Sequence, residues 1–159
     1  MCKVSVIMPV HNEPENVLRT AINSILNQTF KDFEFIIIND ASENNAEDVI
    51  LSYKDDRIKY YKNKKNLKVI KTLNKGLELA TGEYIARMDA DDISFKTRFE
   101  KQVEVLDNNP EIGLVSSSCY MFPIKRIITP PNDHYDIEKI LKYNIIHLWV
   151  FLEDKYVKF

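Results

Sequence analysis

Three observations predict a three-layer α/β fold with a mainly parallel central sheet for this 159-residue chain. Runs such as Val4 to Val10 and Phe33 to Asn39 are short, β-branched and almost wholly apolar, as expected of strands covered on both faces. Amphipathic helical stretches separate them, which places helices on both faces of one sheet. Polar clusters recur just beyond the carboxyl ends of the apolar runs, the edge at which open parallel sheets bind ligands.

In chain order, Val4 to Val10 is the first strand. Val17, Leu18, Ala21, Ile22, Ile25 and Leu26 then recur at helical spacing, with Asn12 and Glu15 reading as a cap and Pro14 in the first turn. Phe33 to Asn39 is the second strand, with Asp40 at its carboxyl end. Ala46 to Tyr53 is weakly helical and Ile58 to Tyr61 suits a third strand. Val69 to Ala80 is helical, with Val69, Ile70, Leu73, Leu77 and Ala80 expected inward and Gly82 as its stop. Glu83 to Met88 forms the next strand. Ser94 is expected to cap a helix whose Phe95, Phe99, Val103 and Leu106 form one stripe, and Ile112 to Ser117 makes a further strand.

This length suits one domain that buries about 68 to 70% of its unfolded surface. A formal charge of −2 argues against nucleic acid as a partner, which needs a strong basic footprint. Cys2 and Cys119 lack zinc or disulfide spacing, so reduced thiols in a cytoplasmic compartment are the expectation. No apolar run approaches the ~20 residues of a membrane span, which predicts a soluble protein and leaves peripheral attachment to a membrane open. Pro130-Pro131-Asn132-Asp133 is the clearest break, dividing a main body at 1–129 from a short appendage at 130–159 within the same domain. Ile145, Ile146, Trp149, Val150 and Phe151 should pack on the body, with a homo-oligomer or membrane contact as the alternative. His134 and His147 lack ligand-like spacing and read as surface or hydrogen-bonded residues.

The segment Tyr84 to Asp92 runs from a strand straight into Asp89, Asp91 and Asp92. Asp89 and Asp91 project to the same side of extended backbone, where like charges repel unless a cation or ligand compensates them. Oxygen ligands without His or Cys favour Mg²⁺ or Mn²⁺. The competing reading is a solvated turn that caps the next helix. Gly76, Gly82 and Gly113 are the only glycines, which excludes both a dinucleotide fingerprint after the first strand and a Walker loop. Phosphate must then be held differently, and a metal on Asp91 assisted by lysines is a workable substitute.

Val4 to Glu13, Ser24 to Phe30, Asn39 to Ser42, Leu73 to Gly76 and Ala86 to Asp92 together resemble family 2 glycosyltransferases of the GT-A fold. The blocks stand in family order over roughly the first 120 residues, which is stronger than any single motif. The resemblance implies that 1–129 binds a nucleotide-sugar donor, usually a UDP-sugar, and that 130–159 is a truncated acceptor-side appendage. Asp40 matches the carboxylate that accepts the uracil N–H, and an ionised Asp can only accept; as an alternative it caps the turn before Ser42. Pro9 and His11 match the turn along base and ribose, where the family more often has Tyr than His. Asn12 and Ala90 lie in matched blocks, and Glu13 matches a ribose contact or stabilises the first helical turn. Lys71 matches a region that places a cation against the pyrophosphate, with Asn74 able to orient it, although a basic run is ordinarily a solvated face. Asp89 matches a ribose or metal contact, Asp91 the direct metal ligand, and Asp92 a cap or outer contact.

The resemblance further implies inverting transfer of a sugar to a glycan, lipid or protein acceptor, with a carboxylate base beyond the acidic motif. His147 to Phe151 resembles the family's strand near the acceptor. Asp154, in the pair Glu153-Asp154, is the candidate base. The alternative function is a catalytically silent module that binds UDP or a UDP-sugar and needs a partner for the acceptor half. A nucleotidyltransferase of related fold would want the Gly-rich loop this chain lacks.

Overall fold

The computed structural model describes residues 2–121, 125–128 and 149–152. In chain order the elements are β1 (Val4–Val10), α1 (Glu15–Leu26), β2 (Phe33–Asn39), α2 (Ala46–Leu51), β3 (Ile58–Lys62) and α3 (Lys68–Leu79). They continue with β4 (Tyr84–Arg87), α4 (Arg98–Asn108), β5 (Leu114–Ser116), β6 (Cys119–Met121), β7 (Arg126–Ile128) and β8 (Trp149–Leu152). Pro130 to Asp133, His134, His147, Glu153 and Asp154 lie outside the described residues, as do the side chains of the apolar cluster around Trp149.

Six strands form one sheet in the order β3-β2-β1-β4-β8-β5, and β6-β7 form a separate pair. β1 runs parallel to β2 and β4, and β2 parallel to β3. β8 is antiparallel to both β4 and β5, so the sheet is mixed at that side. An apolar run without alternation carries no sign of direction, which is why chain order alone does not reveal that β8 separates β5 from β4.

Alternation along β1 sorts the layers. Val4, Val6, Met8 and Val10 enter a large core cluster with Leu18, Ile22 and Ile25 of α1, Val49 and Ile50 of α2, and Phe99, Val103 and Leu106 of α4. Ile7, on the other face, joins Leu73 of α3 and Ile85 of β4. Helices therefore cover both faces, as predicted. α3 comes so close to the sheet that a Cβ on Gly76 would stand 2.3 Å from Ile7 Cγ2. No helix among the described residues is long and apolar enough to cross a membrane.

Several local expectations need correction. Asn12 does not cap α1: the helix begins at Glu15 behind Pro14, with no side-chain cap, and Glu15 instead pairs with Arg19 at 2.8 Å. Val69 and Ile70 face solvent, at 48% and 53% exposure, because Thr72, Leu73 and Gly76 take the inward stripe of α3. Ser94 is not the cap of α4, which starts at Arg98 behind Thr97, and Phe95 before it is 74% exposed. Gly82 does not terminate α3 by a left-handed turn, since no glycine has positive φ. Its role is close approach: a Cβ there would lie 2.6 Å from Ser5 N and 2.8 Å from Val4 C. Backbone cannot swing aside as a side chain can, so Gly82→Ala is expected to destabilise the fold by roughly 1 to 3 kcal/mol. Urea unfolding measures this, and an unchanged midpoint would refute it.

Candidate functional site

The order β3-β2-β1-β4 places β1 between a strand that follows it directly and one that comes much later in the chain. Such a reversal opens a crevice beyond the carboxyl ends of the strands. At the carboxyl ends of those four parallel strands lie Pro9 to Glu13, which closes β1 and leads out of it, Asp40 after β2, Asn63 after β3 and Met88 to Asp92 after β4. The polar clusters picked out in the sequence thus share one edge of the sheet.

Asp40 is buried at 3% exposure, and its carboxylate is turned into the start of α3. Oδ1 accepts Asn63 Nδ2 at 2.7 Å and Leu67 N at 2.8 Å, and Oδ2 accepts Lys68 N at 2.9 Å. Burial alone would raise the carboxyl's pKa. The bonds from Leu67 N, Asn63, Thr72 and Lys68 N outweigh it and hold the group below its ordinary value. The turn before Ser42 is capped by Asn39, whose Oδ1 accepts Ser42 N at 2.8 Å, and not by Asp40. Asn63, missed in the sequence, is buried; it also donates to Thr72 Oγ1 and accepts Lys75 Nζ at 2.7 Å. Beside it lies a cavity of about 340 Å³ lined by Ala41, Ser42, Lys62, Asn63 and Lys64.

Past β1 the chain turns through Asn12 at φ 66°, a conformation Asn tolerates better than most residues. Asn12 N donates to Ser42 Oγ at 3.1 Å, and Asn12 Oδ1 accepts Glu43 N at 2.7 Å, so this residue stitches the β1–α1 connection to the β2–α2 connection. Glu13 folds back to accept His11 N at 2.6 Å instead of lying in the first turn of α1. His11 reaches Asp40 O with Nδ1 at 3.0 Å and Asn66 Nδ2 with Nε2 at 2.8 Å. Pro9 is half-buried in β1, and Lys71 is exposed near the start of α3.

The acidic segment forms a tight turn, with Asp92 N donating to Asp89 O at 3.2 Å and Ala90 buried within it. Arg87, two residues before Asp89, grips that carboxylate through both oxygens, Nε to Oδ1 at 3.0 Å and NH2 to Oδ2 at 3.1 Å. Arg98 of α4 is buried beneath, with NH1 donating to Arg87 O at 3.4 Å. Burial pushes its pKa down to about 9 and the charge of Asp92 acts the other way, so it remains a cation at neutral pH. Gln28, fully buried, pins the following segment by donating to Ser94 Oγ and Phe95 O and accepting Phe99 N.

Two arginines thus compensate charge at Asp89 and Asp92, and Asp91 stands apart. It is exposed, and its carboxylate has no hydrogen bond or ion pair among the described residues. Those residues contain no group of three or more His, Cys, Asp or Glu able to hold a metal by themselves. A hard cation that takes only one or two carboxylates and completes its shell with phosphate and water fits this donor set, whereas a cage built from protein alone does not. The pairing of Arg87 with Asp89 was missed in the sequence; the two-residue spacing could have suggested it, since side chains two apart lie on one side where the chain runs on extended from the end of β4.

The family model for glycosyl transferase family 2 matches residues 5–150. An uncharacterised glycosyltransferase of Methanocaldococcus jannaschii is 43% identical over 147 residues, covering 88% of this chain and 50% of the relative. The putative glycosyltransferase EpsE of Bacillus subtilis is 42% identical over 123 residues, covering 76% of this chain and 44% of EpsE. The chain therefore spans half or less of the length of these relatives. Among solved structures, S. aureus TarS 1–349 in complex with UDP-GlcNAc aligns with TM-score 0.64 and 26% identity over 68% of this chain and 32% of TarS. The mannosyltransferase PcManGT from Pyrobaculum calidifontis, in complex with GDP-Man and Mn²⁺, aligns with TM-score 0.72 and 20% identity over 95% of this chain and 44% of its own, a likeness of fold. A parallel four-strand core flanked by helices, matched by a family model over most of its length, establishes that the chain belongs to glycosyl transferase family 2 and has the GT-A fold.

Proposed function

We propose that the chain binds a UDP-sugar at the carboxyl edge of β1, β2 and β4 and takes part in transferring that sugar to an acceptor hydroxyl. The observation that carries this reading is the division of labour at that edge: an exposed, uncompensated Asp91 on one side of β1 and a cavity beside buried Asp40 on the other. The 26% identity to TarS, itself solved with UDP-GlcNAc, supports UDP as the nucleotide. Uracil lies against Pro9 and His11, with its N–H directed at Asp40. Both Asp40 oxygens already accept donors, so the base must share or displace one; Asn63, a side chain and not backbone, is the donor able to turn away. Glu13 and Asn12 shape the ribose side, Lys71 faces the pyrophosphate, and Asp89 with Ala90 borders the sugar.

In the transfer, the acceptor oxygen bonds to the anomeric carbon as the bond from that carbon to the diphosphate breaks, and UDP departs with the electron pair. A carboxylate base takes the acceptor's proton; the candidate, Asp154, lies outside the described residues. Asp91, with Asp89 in support, would hold Mg²⁺ or Mn²⁺, and the ion when bound would supply Lewis-acid stabilisation of the charge that grows on the departing diphosphate. Arg87 and Arg98 keep the acidic turn in place by offsetting the repulsion between its carboxylates.

Calorimetry of the chain against UDP-, GDP- and dTDP-sugars, with and without Mn²⁺, tests the donor site. The expected result is selective UDP-sugar binding, at least tenfold (about 1.4 kcal/mol) tighter with Mn²⁺. GDP-sugar binding with no UDP-sugar response would overturn the assignment of the base. Release of UDP from the bound donor marks a transferase, and binding without release marks a silent donor-binding module.

A further inference from the structure

We propose that His11 is a positioning residue, held as the neutral tautomer with its proton on Nδ1, that props the start of α3 against the nucleotide site and releases it on protonation. The inference rests on the reading of this edge as a nucleotide-sugar site. Four residues close a hydrogen-bonded ring. His11 Nδ1 lies 3.0 Å from Asp40 O, Asp40 Oδ2 accepts Lys68 N at 2.9 Å, Lys68 N also donates to Asn66 Oδ1 at 2.9 Å, and Asn66 Nδ2 lies 2.8 Å from His11 Nε2.

Two backbone groups determine the direction of every bond in this ring. Asp40 O is a carbonyl and can only accept, so His11 Nδ1 must carry the proton. Lys68 N–H can only donate, so the amide of Asn66 must present its oxygen there and its nitrogen to His11. His11 Nε2 is therefore the acceptor. A second proton on Nε2 would point an N–H at the Asn66 NH₂ group. Rotating Asn66 to accept it would turn that NH₂ on Lys68 N–H instead. The ring has no arrangement that satisfies an imidazolium.

Lys68 sits at φ 69°, a left-handed conformation that is unfavourable for a non-glycine residue and persists only where its surroundings hold it. Its N–H, shared between Asp40 and Asn66, is part of that hold. The same Asp40 carboxylate borders the proposed base site, so loosening the ring disturbs donor binding without touching Asp91. Titratable groups on the elements that meet here are Glu13 and Glu43 on the loops after β1 and β2, Asp40 itself, and Lys64, Lys65 and Lys68 before and at the start of α3. Among the described residues the imidazole bonds only Asp40 O, Asn66 and, at 3.4 Å, Asn12 Nδ2.

Imidazole nitrogen-15 spectra of the whole chain, with His11 assigned by its loss in His11→Asn, read the tautomer directly. The expected signature is a protonated Nδ1 and a bare Nε2 at neutral pH. Amide exchange at Leu67 and Lys68 and calorimetry with UDP and Mn²⁺, followed as pH is lowered through the imidazole range, read the consequence. Protection should fall, and UDP affinity should drop roughly two- to tenfold, the worth of one hydrogen bond. Asn66→Asp keeps an oxygen for Lys68 N and sets a carboxylate against Nε2. It shares the other titrations of protein and nucleotide, and it should erase the acid-side loss by accepting the imidazolium. An Nε2-protonated ring, or Asn66→Asp profiles that superimpose on those of the unchanged chain, would overturn the proposal. If tautomer and amide protection behave as stated and UDP does not bind at any pH, the nucleotide-site reading fails while the strut stands.

Discussion

Asp91→Ala is expected to lower metal-dependent turnover of a UDP-sugar by about two to three orders of magnitude, or ~3 to 4 kcal/mol of transition-state stabilisation. The charge that develops on the departing diphosphate has to be met at the moment the glycosidic bond breaks. Asp91 is the one carboxylate of the acidic turn not engaged within the described structure. Because it is exposed and unpaired, its loss should leave stability within about 0.5 kcal/mol of the unchanged chain, so an effect on rate is not an effect on folding. Asp89→Ala would be a poorer test, since it strands Arg87, whose guanidinium grips both of its oxygens. Lys64→Ala, at an exposed position lining the cavity beside Asn63, is the control. A single exposed cation contributes less than about 1 kcal/mol, so its rate should change less than about fivefold. Donor-release assays across a Mn²⁺ titration compare the variants. Preserved rate and unchanged metal dependence in Asp91→Ala would remove the metal site from the proposal.

Asp40→Ala carries the largest expected effect on stability, about 3 kcal/mol or more. It leaves Leu67 N without its acceptor and takes one of two acceptors from the buried Asn63 Nδ2, which keeps Thr72 Oγ1, and from Lys68 N, which keeps Asn66 Oδ1; an unsatisfied buried donor costs about 1 to 3 kcal/mol, and the cavity left by the carboxylate adds to it. Asp40→Asn should recover part of the loss, because its oxygen at the Oδ1 place still accepts Asn63 Nδ2 and Leu67 N while its NH₂ is set against the Lys68 N–H. The same geometry sets the acid limb of stability. The carboxyl's pKa is held below its ordinary value in the folded chain, so the unfolded chain takes up the proton first as pH falls. The stabilisation is therefore complete above pH ~4 and is lost as pH drops through the lower, folded value. Urea midpoints at pH 7 and across the acid range measure both effects. If Asp40→Ala keeps the midpoint of the unchanged chain, the cap on α3 is not what holds that helix in place.

The legible part of the sequence was the part governed by local composition. The alternation of apolar runs with 3.6-residue periodicity gave each helix and the first strands to within a few residues, because a two-sided strand and an amphipathic helix leave different periods. The edge carrying the site was legible for the same reason, since strand ends are marked by abrupt polarity. Errors came where two surfaces compete for one residue. Val69 and Ile70 look inward by periodicity, yet α3 presents Thr72, Leu73 and Gly76 to the sheet because only the small face permits the close approach to Ile7. Asn12 and Ser94 carry the chemistry of helix caps, but tertiary partners on Ser42, Glu43, Ser24 and Gln28 claim them.

By itself the sequence determined the layered α/β fold, the family, the absence of a glycine-rich phosphate loop, and the convergence of Asp40 and Asp89 to Asp92 on one edge. These follow from period, composition and order, which are properties of the chain taken along its length. Only the tertiary structure decided which carboxylates are engaged. Asp40 is bound into α3 from 27 and 28 residues away, Asp89 is gripped by Arg87, Arg98 of α4 lies under the acidic turn, and Asp91 is left unengaged among the described residues. The physical reason is that a carboxylate's role depends on which donors reach it in space, and donors far along the chain leave no trace in the spacing around it.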